Sequence, residues 1–239
     1  SEILPLTADT SQFNRVFIPI EHDFSLELAN ENNLNIYHLR TENRRFKYED
    51  LTNFCVGNLS QYIFNRKTVK QAKSQADIQI LYNRGRKQLR EVRNENDSGA
   101  GGELGELLLY LFLENCLHAP KLLSKMEIKT TRNQYIYGAD GLHLYMTKDK
   151  YGNMLYQFVI GEAKIKNDIL DATRVAFDSI RKSIDEIDIE TALVSEEILK
   201  EVCTKEDAGK LIEVILPSED IADKFTTSEK AIGLFIGYT

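Results

Sequence analysis

The residues best suited to chemistry lie in the tetrapeptide of residues 161–164, at the end of an apolar stretch. Side chains two positions apart on a β-strand point to the same face, so Glu162 and Lys164 are expected side by side. A carboxylate in that position can bind a divalent cation. The neighbouring ammonium group can orient a water molecule or stabilise charge on a pentacoordinate phosphorus. By itself the Glu-x-Lys pair is a weak signal, because most such pairs lie on solvated strands.

Two further acids strengthen the pattern. Asp140 begins a strand that a hairpin joins to the strand of Glu162, and antiparallel neighbours lie ~4.8 Å apart. The two carboxylates can therefore share one Mg²⁺, which prefers oxygen ligands and keeps several waters. Glu106 lies on a strongly apolar helix, where a carboxylate needs a partner such as a metal ion and its water. Glu103, one turn earlier, is either a first-turn acid stabilised by the helix dipole or a support of the site.

Hydrophobic periodicity predicts the elements that must position these acids. In chain order they are a helix over 103–114, a weak strand over 127–131, strands over 134–146 and 155–165, a helix over 169–184 and a final strand over 231–238. The strand over 155–165 is apolar on both faces, which is typical of a central strand. Asn167 or Asp168 can cap the helix after it. Thr204 and Asp207 form a capping box for another helix, although residues 211–216 also fit a strand.

The first hundred residues predict a mixture of helices and strands. The elements expected there are strands over 13–20 and 34–39, a helix over 48–64 and, after it, a basic helix. The polar, Gly-rich run over 94–102 is typical of a loop and is a candidate domain boundary.

The order of these elements resembles the PD-(D/E)xK nuclease superfamily over roughly residues 100–239. The resemblance implies an α/β, restriction-endonuclease-like core, in which helices flank a mixed central sheet, preceded here by an N-terminal α+β module. It implies that Asp140 and Glu162 ligate Mg²⁺ (with Mn²⁺ as a substitute), that Glu106 adds the helix carboxylate to this site, and that Lys164 is the catalytic lysine. Ala139 stands where a proline usually precedes the aspartate, which makes the match less specific.

Three stretches, over residues 102–106, 137–143 and 161–164, are similar to the HamA family, the nuclease subunits of Hachiman anti-phage defence. This resemblance implies a metal-dependent deoxyribonuclease in the bacterial cytoplasm, restrained by a HamB-like helicase subunit until invading or damaged DNA is sensed. Two alternatives stay open. One is a stand-alone restriction-type endonuclease or junction resolvase, and the other is a non-catalytic scaffold that binds a helicase. The preference for DNA over RNA depends on the resemblance alone.

Charge is distributed unevenly along the chain. The net charge is −7, yet residues 62–94 contain nine basic and two acidic residues, so the remainder carries −14. An acidic site repels nucleic acid unless cations compensate, so the basic stretch is a candidate DNA-binding surface. The residues of this stretch that we expect to bind DNA are Arg84, Arg86, Lys87, Arg90 and Arg93. The same residues could instead dock an acidic partner or form a solvated helix face.

Composition limits the remaining possibilities. No run of ~18 apolar residues exists, so no membrane span is expected. The three cysteines are far apart and odd in number, which favours a reducing compartment and argues against a disulfide framework. We therefore expect a cytoplasmic protein with a DNA- or partner-binding module over residues 1–97 and a nuclease core over residues 98–239.

Overall fold

The computed structural model describes residues 4–25, 27, 33–95, 102–124, 140–148, 152, 154–183, 204–215 and 226–238. The predicted strand over 127–131 and residues 134–139 of the next predicted strand lie outside these ranges. Contacts divide the chain into two compact units, one of Ser1–Ala8 with Leu59–Thr239 and one of Asp9–Asn58. The predicted basic helix belongs to the unit that contains Leu59–Thr239, because most of its contacts are with residues of that unit. The functional division predicted at residue 97 stays a prediction.

The smaller unit has an aromatic core. Its elements are α1 (Phe13–Val16), β1 (Phe17–Ile20), β2 (Ile36–Leu39), β3 (Thr41–Glu42), β4 (Arg45–Phe46) and α2 (Tyr48–Gly57). β1 pairs with β2 and β3 with β4, both antiparallel. The strand predicted over 13–20 is wrong in its first half, because Phe13 and Val16 are spaced to bury on one side of a helical turn. Phe13 and Phe17 both pack against Phe54 of α2.

Within the described ranges, the larger unit is built on a four-stranded sheet. Its helices are α3 (Leu59–Ile63), α4 (Arg66–Gln71), α5 (Gln75–Glu95), α6 (Gly102–Cys116), α7 (Ile169–Ser183) and α8 (Lys205–Ile215). Its strands are β5 (Lys121–Ser124), β6 (Gly141–Lys148), β7 (Met154–Lys166) and β8 (Thr226–Tyr238). The strand order is β5-β6-β7-β8, and only the β7–β8 pair is parallel. The predicted α/β class with a mixed sheet is confirmed.

Helices α6 and α7 cover opposite faces of β7. A Cβ on Gly161 would lie 2.7 Å from Leu109 Cδ2, so α6 packs closely on the face of odd-numbered residues. A Cβ on Gly105 would lie 3.4 Å from Ala163 Cβ on the same face. Even-numbered residues point the other way, toward α7, whose Ala172 is completely buried. Glu162 and Lys164 therefore lie between β7 and α7.

Capping residues decide where the flanking helices begin. Asp168 Oδ1 accepts a hydrogen bond from Asp171 N at 2.8 Å, which caps α7 as predicted. Thr204 Oγ1 accepts from Asp207 N at 3.2 Å, so the predicted capping box starts α8. Residues 211–215 are helical rather than extended, which settles that alternative. None of the helices within the described ranges is long and apolar enough to cross a bilayer.

A buried charged network joins the N-terminal segment to the sheet. The Glu114 carboxylate, fully buried, accepts hydrogen bonds from Thr7 N at 2.6 Å and Lys121 N at 2.7 Å. Lys121 Nζ donates to the carbonyls of Gln61, Tyr62 and Phe64 at the end of α3. Arg66 is 3% exposed and donates to the Lys121 carbonyl at 2.9 Å. Arg66 is thus a structural residue and not part of a basic surface.

Candidate active site

Strand register places Asp140 opposite Glu162. Gly141 pairs with Gly161 in the antiparallel ladder. Asp140, which precedes Gly141, therefore lies opposite Glu162, which follows Gly161. Asp140 N donates to the Gly161 carbonyl at 2.9 Å, and Asp140 Oδ2 accepts from Ala163 N at 2.8 Å. Both carboxylic side chains belong to buried residues, 5% exposed for Asp140 and 3% for Glu162. The sequence prediction that these two acids converge matches this geometry.

Lys164 lies beside Glu162 on the same face of β7. Its Nζ forms an ion pair with Glu162 Oε1, and a quarter of the lysine side chain remains exposed. The hydroxyl of Ser179, on α7, forms a further hydrogen bond with Glu162. Burial, and next the negative charge of Asp140, raise the pKa of Glu162, while Lys164 and Ser179 act in the opposite direction. The site thus holds two close carboxylates whose mutual repulsion a cation relieves.

A cavity of about 420 Å³ opens between β7 and α7. Its lining residues are Lys164, Val175, Asp178, Ser179 and Lys182. The four α7 residues among them are three and four positions apart, so they form one helix face. Lys164 is both the partner of Glu162 and part of this lining, so a substrate in the cavity can contact the site.

Glu106 lies on the opposite side of β7, on α6, and is buried. Its Oε2 accepts a hydrogen bond from the hydroxyl of Tyr62, on α3, at 2.9 Å. Burial, then Glu106 and then Asp140, raise the pKa of Tyr62 far above its ordinary value, so this hydroxyl stays a donor. Asp140 acts electrostatically on both Tyr62 and Glu162. Glu103 also acts on Tyr62, from the first turn of α6.

Sequence reasoning missed Tyr62 and Ser179. Tyr62 stood in the sequence only as one apolar position of a predicted helix, and Ser179 as a polar position of another. Both matter through contacts made across long stretches of chain, with Glu106 and Glu162 respectively. No short motif contains either pair, so the sequence carried no signal for them.

The carboxylates of this site fit a magnesium ion that takes only a minority of its ligands from the protein. Within the described ranges, no three His, Cys, Asp or Glu side chains are arranged to hold one metal ion. Glu106 accepts a hydrogen bond from Tyr62, and its predicted part in the ligand set stays a prediction. Asp140 and Glu162 supply two carboxylates, and Mg²⁺ commonly binds proteins through one or two carboxylates together with waters and substrate phosphates. These two residues are the ones that would hold it.

His143 lies three residues from Asp140 and therefore on the opposite face of β6. It is 2% exposed, and its Nδ1 donates to the Ala119 carbonyl at 2.8 Å. Burial lowers the pKa of His143 to about 4, so the ring is neutral near neutral pH. A metal-binding or proton-transfer role has no support here.

The basic residues singled out on α5 are exposed where the structure describes their side chains. These are Arg84, Arg86, Lys87 and Arg90, while the side chain of Arg93 lies outside that description. The Arg84 guanidinium stacks over Phe64 at 5.3 Å, and Arg86 over Tyr82 at 5.7 Å. A Cβ on Gly85 would lie 3.1 Å from Ile63 Cδ1, which shows how α5 rests on α3. These four cationic side chains of α5 therefore lie at the surface of the described structure.

Fold and site together define an α/β protein in which a central strand carries a buried Asp–Glu pair and an adjacent lysine. The HamA family model matches residues 13–239, which is nearly the whole chain. The chain belongs to the HamA family, as its three motifs indicated. This membership supports its description as a component of Hachiman anti-phage defence. No curated protein and no solved structure matches the chain in the same comparisons.

Proposed function

We propose that the chain is a metal-dependent deoxyribonuclease that hydrolyses phosphodiester bonds of DNA. The observation that supports this best is the grouping of Asp140 and Glu162 with Lys164, which lines a cavity. Two buried carboxylates beside a lysine form a costly arrangement for a structural role alone, because burial of close like charges is unfavourable. A bound cation and a phosphate group would compensate those charges.

Each residue of the group has a distinct part in hydrolysis. Asp140 and Glu162 would hold Mg²⁺ or Mn²⁺, which supplies charge stabilisation and lowers the pKa of a bound water. Ala163 N orients Asp140 through its hydrogen bond to Oδ2, and Ser179 orients Glu162. Lys164 stabilises the charge that develops on the phosphoryl oxygens as water adds to phosphorus and one ester oxygen leaves. The products are one phosphate end and one hydroxyl end.

Glu106 supports this site through Tyr62 in the proposal. Its carboxylate accepts the Tyr62 hydroxyl bond, and Asp140 also acts electrostatically on Tyr62. Its negative charge adds to the potential that attracts a cation. The effect of Glu106→Gln on activity should therefore be smaller than that of Glu162→Gln, since Glu106 acts on the metal at longer range.

DNA and a HamB-like helicase are the proposed partners, in a bacterial cytoplasm. Membership of the HamA family supports a defence system with several components. The exposed basic residues of α5 are the proposed contact with DNA phosphates, and an acidic surface of the helicase is the alternative ligand of that helix.

Plasmid cleavage tests the proposal. Wild type, Glu162→Gln and Lys164→Gln are each incubated with Mg²⁺, with Mn²⁺ and with a chelator. Lys166→Gln is the matched control, because Lys166 is an exposed lysine two residues further along the same strand. We expect metal-dependent nicking or degradation by wild type and Lys166→Gln. Both site variants should lose about 10²-fold or more in rate, as removal of one transition-state contact does.

Three results would each contradict a part of the proposal. Cleavage that survives in Lys164→Gln would remove the lysine from the mechanism. Absence of cleavage by wild type, repeated with the helicase subunit and ATP, would favour a non-catalytic scaffold. Sequence-specific cleavage without any helicase would favour the stand-alone endonuclease.

A further inference from the structure

The cavity between β7 and α7 contains a second lysine that the proposed hydrolytic group does not use. Lys182 lines it together with Lys164. Lys182 is exposed, and among the described residues it has no ion-pair or hydrogen-bond partner. The cavity therefore joins the catalytic lysine to a cation that is free to bind a ligand.

The other charges at this cavity are already paired. Lys164 forms an ion pair with Glu162, and the Arg174 guanidinium lies 3.9 Å from the Asp178 carboxylate. Arg174 also pairs with Asp171, at 2.6 Å, whereas Lys182 has no such partner among the described residues. Ser179 adds a hydroxyl to the same lining. The Ser179 proton is donated to Glu162, so it is the Lys182 ammonium group that can donate to a phosphate group in this concave site.

We propose that Lys182 is a substrate-binding residue that contacts a backbone phosphate of the nucleic acid next to the phosphate being cleaved. The proposal rests on the proposed nuclease function for its reaction, but its binding part can be tested without cleavage. Lys182 is far from α5 in sequence and on another helix. The phosphate contact at α7 is thus distinct from the basic surface predicted on α5.

The chain contains a matched control for this residue. Arg181 precedes Lys182, is also exposed and also lies in the last turn of α7, but it does not line the cavity. Both cations are equally placed to interact with the C-terminal end of the helix dipole. Lys182→Gln and Arg181→Gln therefore remove the same charge from the same helix end, and only the first removes it from the cavity.

The experiment has a binding arm and a kinetic arm. In the first, fluorescence anisotropy of a labelled DNA oligonucleotide is followed with Ca²⁺ in place of Mg²⁺, over a range of salt concentrations. We expect Lys182→Gln to raise Kd by about tenfold, the loss of one charge-assisted hydrogen bond, and to reduce the salt slope by about 0.7–0.9. Arg181→Gln should change neither quantity, and Lys182→Arg should retain most of the affinity.

The kinetic arm separates this role from a structural one. We expect Lys182→Gln to raise KM by about tenfold with kcat unchanged, because the contact is made in the ground state and in the transition state alike. Equal effects of Lys182→Gln and Arg181→Gln, or a fall in kcat alone, would overturn the proposal. If wild type cleaves no DNA, the proposed nuclease function is rejected, but the binding arm still tests the proposed contact of Lys182 with nucleic acid. An unchanged Kd in that arm rejects it.

Discussion

The close packing of α6 on β7 gives a sharp prediction at Gly161. In Gly161→Ala the new Cβ would lie 2.7 Å from Leu109 Cδ2 and 3.4 Å from the Gly141 carbonyl oxygen. Favourable carbon–carbon contacts lie at about 3.5–4.0 Å, so either the leucine or the helix must move. Leu109 is 3% exposed and sits in a cluster with Leu113, Val159 and Ala163. That packing prevents the leucine from turning away freely.

The size of the effect follows from two opposing contributions. Overpacking a filled core costs about 1–3 kcal/mol. Replacement of glycine by alanine restricts the unfolded chain and returns about 0.4–1 kcal/mol. The free energy of unfolding should therefore fall by about 1–2 kcal/mol, which for a chain of this length lowers Tm by about 2–8 °C. Because Gly161 immediately precedes Glu162, the same shift should also reduce cleavage.

Thermal and urea unfolding of the full chain measure this prediction. Gly209→Ala is the control, since Gly209 lies inside α8 and a Cβ there would meet nothing within 4 Å. That change should raise the free energy of unfolding by about 0.5–1 kcal/mol. The double variant Gly161→Ala, Leu109→Ala should cost less than the sum of its single variants, because removing the leucine relieves the clash.

The reasoning fails if Gly161→Ala is as stable as wild type, since the 2.7 Å approach would then be relieved at no cost. It fails equally if the two substitutions at positions 161 and 109 are additive. Additivity would mean that the loss of stability arises somewhere other than the contact between α6 and β7.

Three further predictions concern the metal, pH and the basic helix. Mn²⁺ or Mg²⁺ at a hundred times its Kd should raise the free energy of unfolding of wild type by about 2.7 kcal/mol. The same metal concentration should not change the free energy of unfolding of Glu162→Gln, and calorimetry measures both values. The pKa of His143 is lowered in the folded state to about 4, so the unfolded chain binds more protons between that pH and 6.5. Stability should thus fall by about 3 kcal/mol as pH falls through this window, and urea titrations of a His143→Gln variant should lack that slope. Reversing the charges of Arg86, Lys87 and Arg90 should weaken DNA binding and flatten its salt dependence by about 0.9 per lost phosphate contact, whereas an unchanged slope would assign α5 to a protein partner.

Local sequence pattern was enough to predict the central part of the candidate site. Glu162 and Lys164 share a face because strand side chains alternate, and that rule needs no knowledge of the rest of the fold. Asp140 could be placed opposite Glu162 because both strands belong to one hairpin, whose register the structure gives as Gly141 with Gly161. The caps at Asp168 and Thr204 are equally local, since each spans three residues.

Predictions were weaker where burial decides the outcome. Arg66 was counted with the basic stretch, yet its side chain is buried. It donates hydrogen bonds to the carbonyl oxygens of Lys121 and Pro5, which lie 55 and 61 residues away in the chain. β5 was not predicted, because four residues that begin with a lysine carry too little alternation to show a strand. Phe13 was placed in a strand because the spacing of the apolar residues there fits either a strand or a helical turn. The contacts of the aromatic core distinguish the two, and they place Phe13 in a helical turn against Phe54.

What the sequence by itself determined is the chemistry available: two acids and a lysine on one hairpin, a third acid on an apolar helix, and membership of one family. Only the tertiary structure decided which side of the sheet each group occupies. It placed Glu106, on α6, against Tyr62, and Glu162 against Ser179 of α7, beside a cavity. The reason is that strand alternation is a property of neighbouring residues, whereas the helix that covers each face is chosen by the packing of residues far apart in the chain.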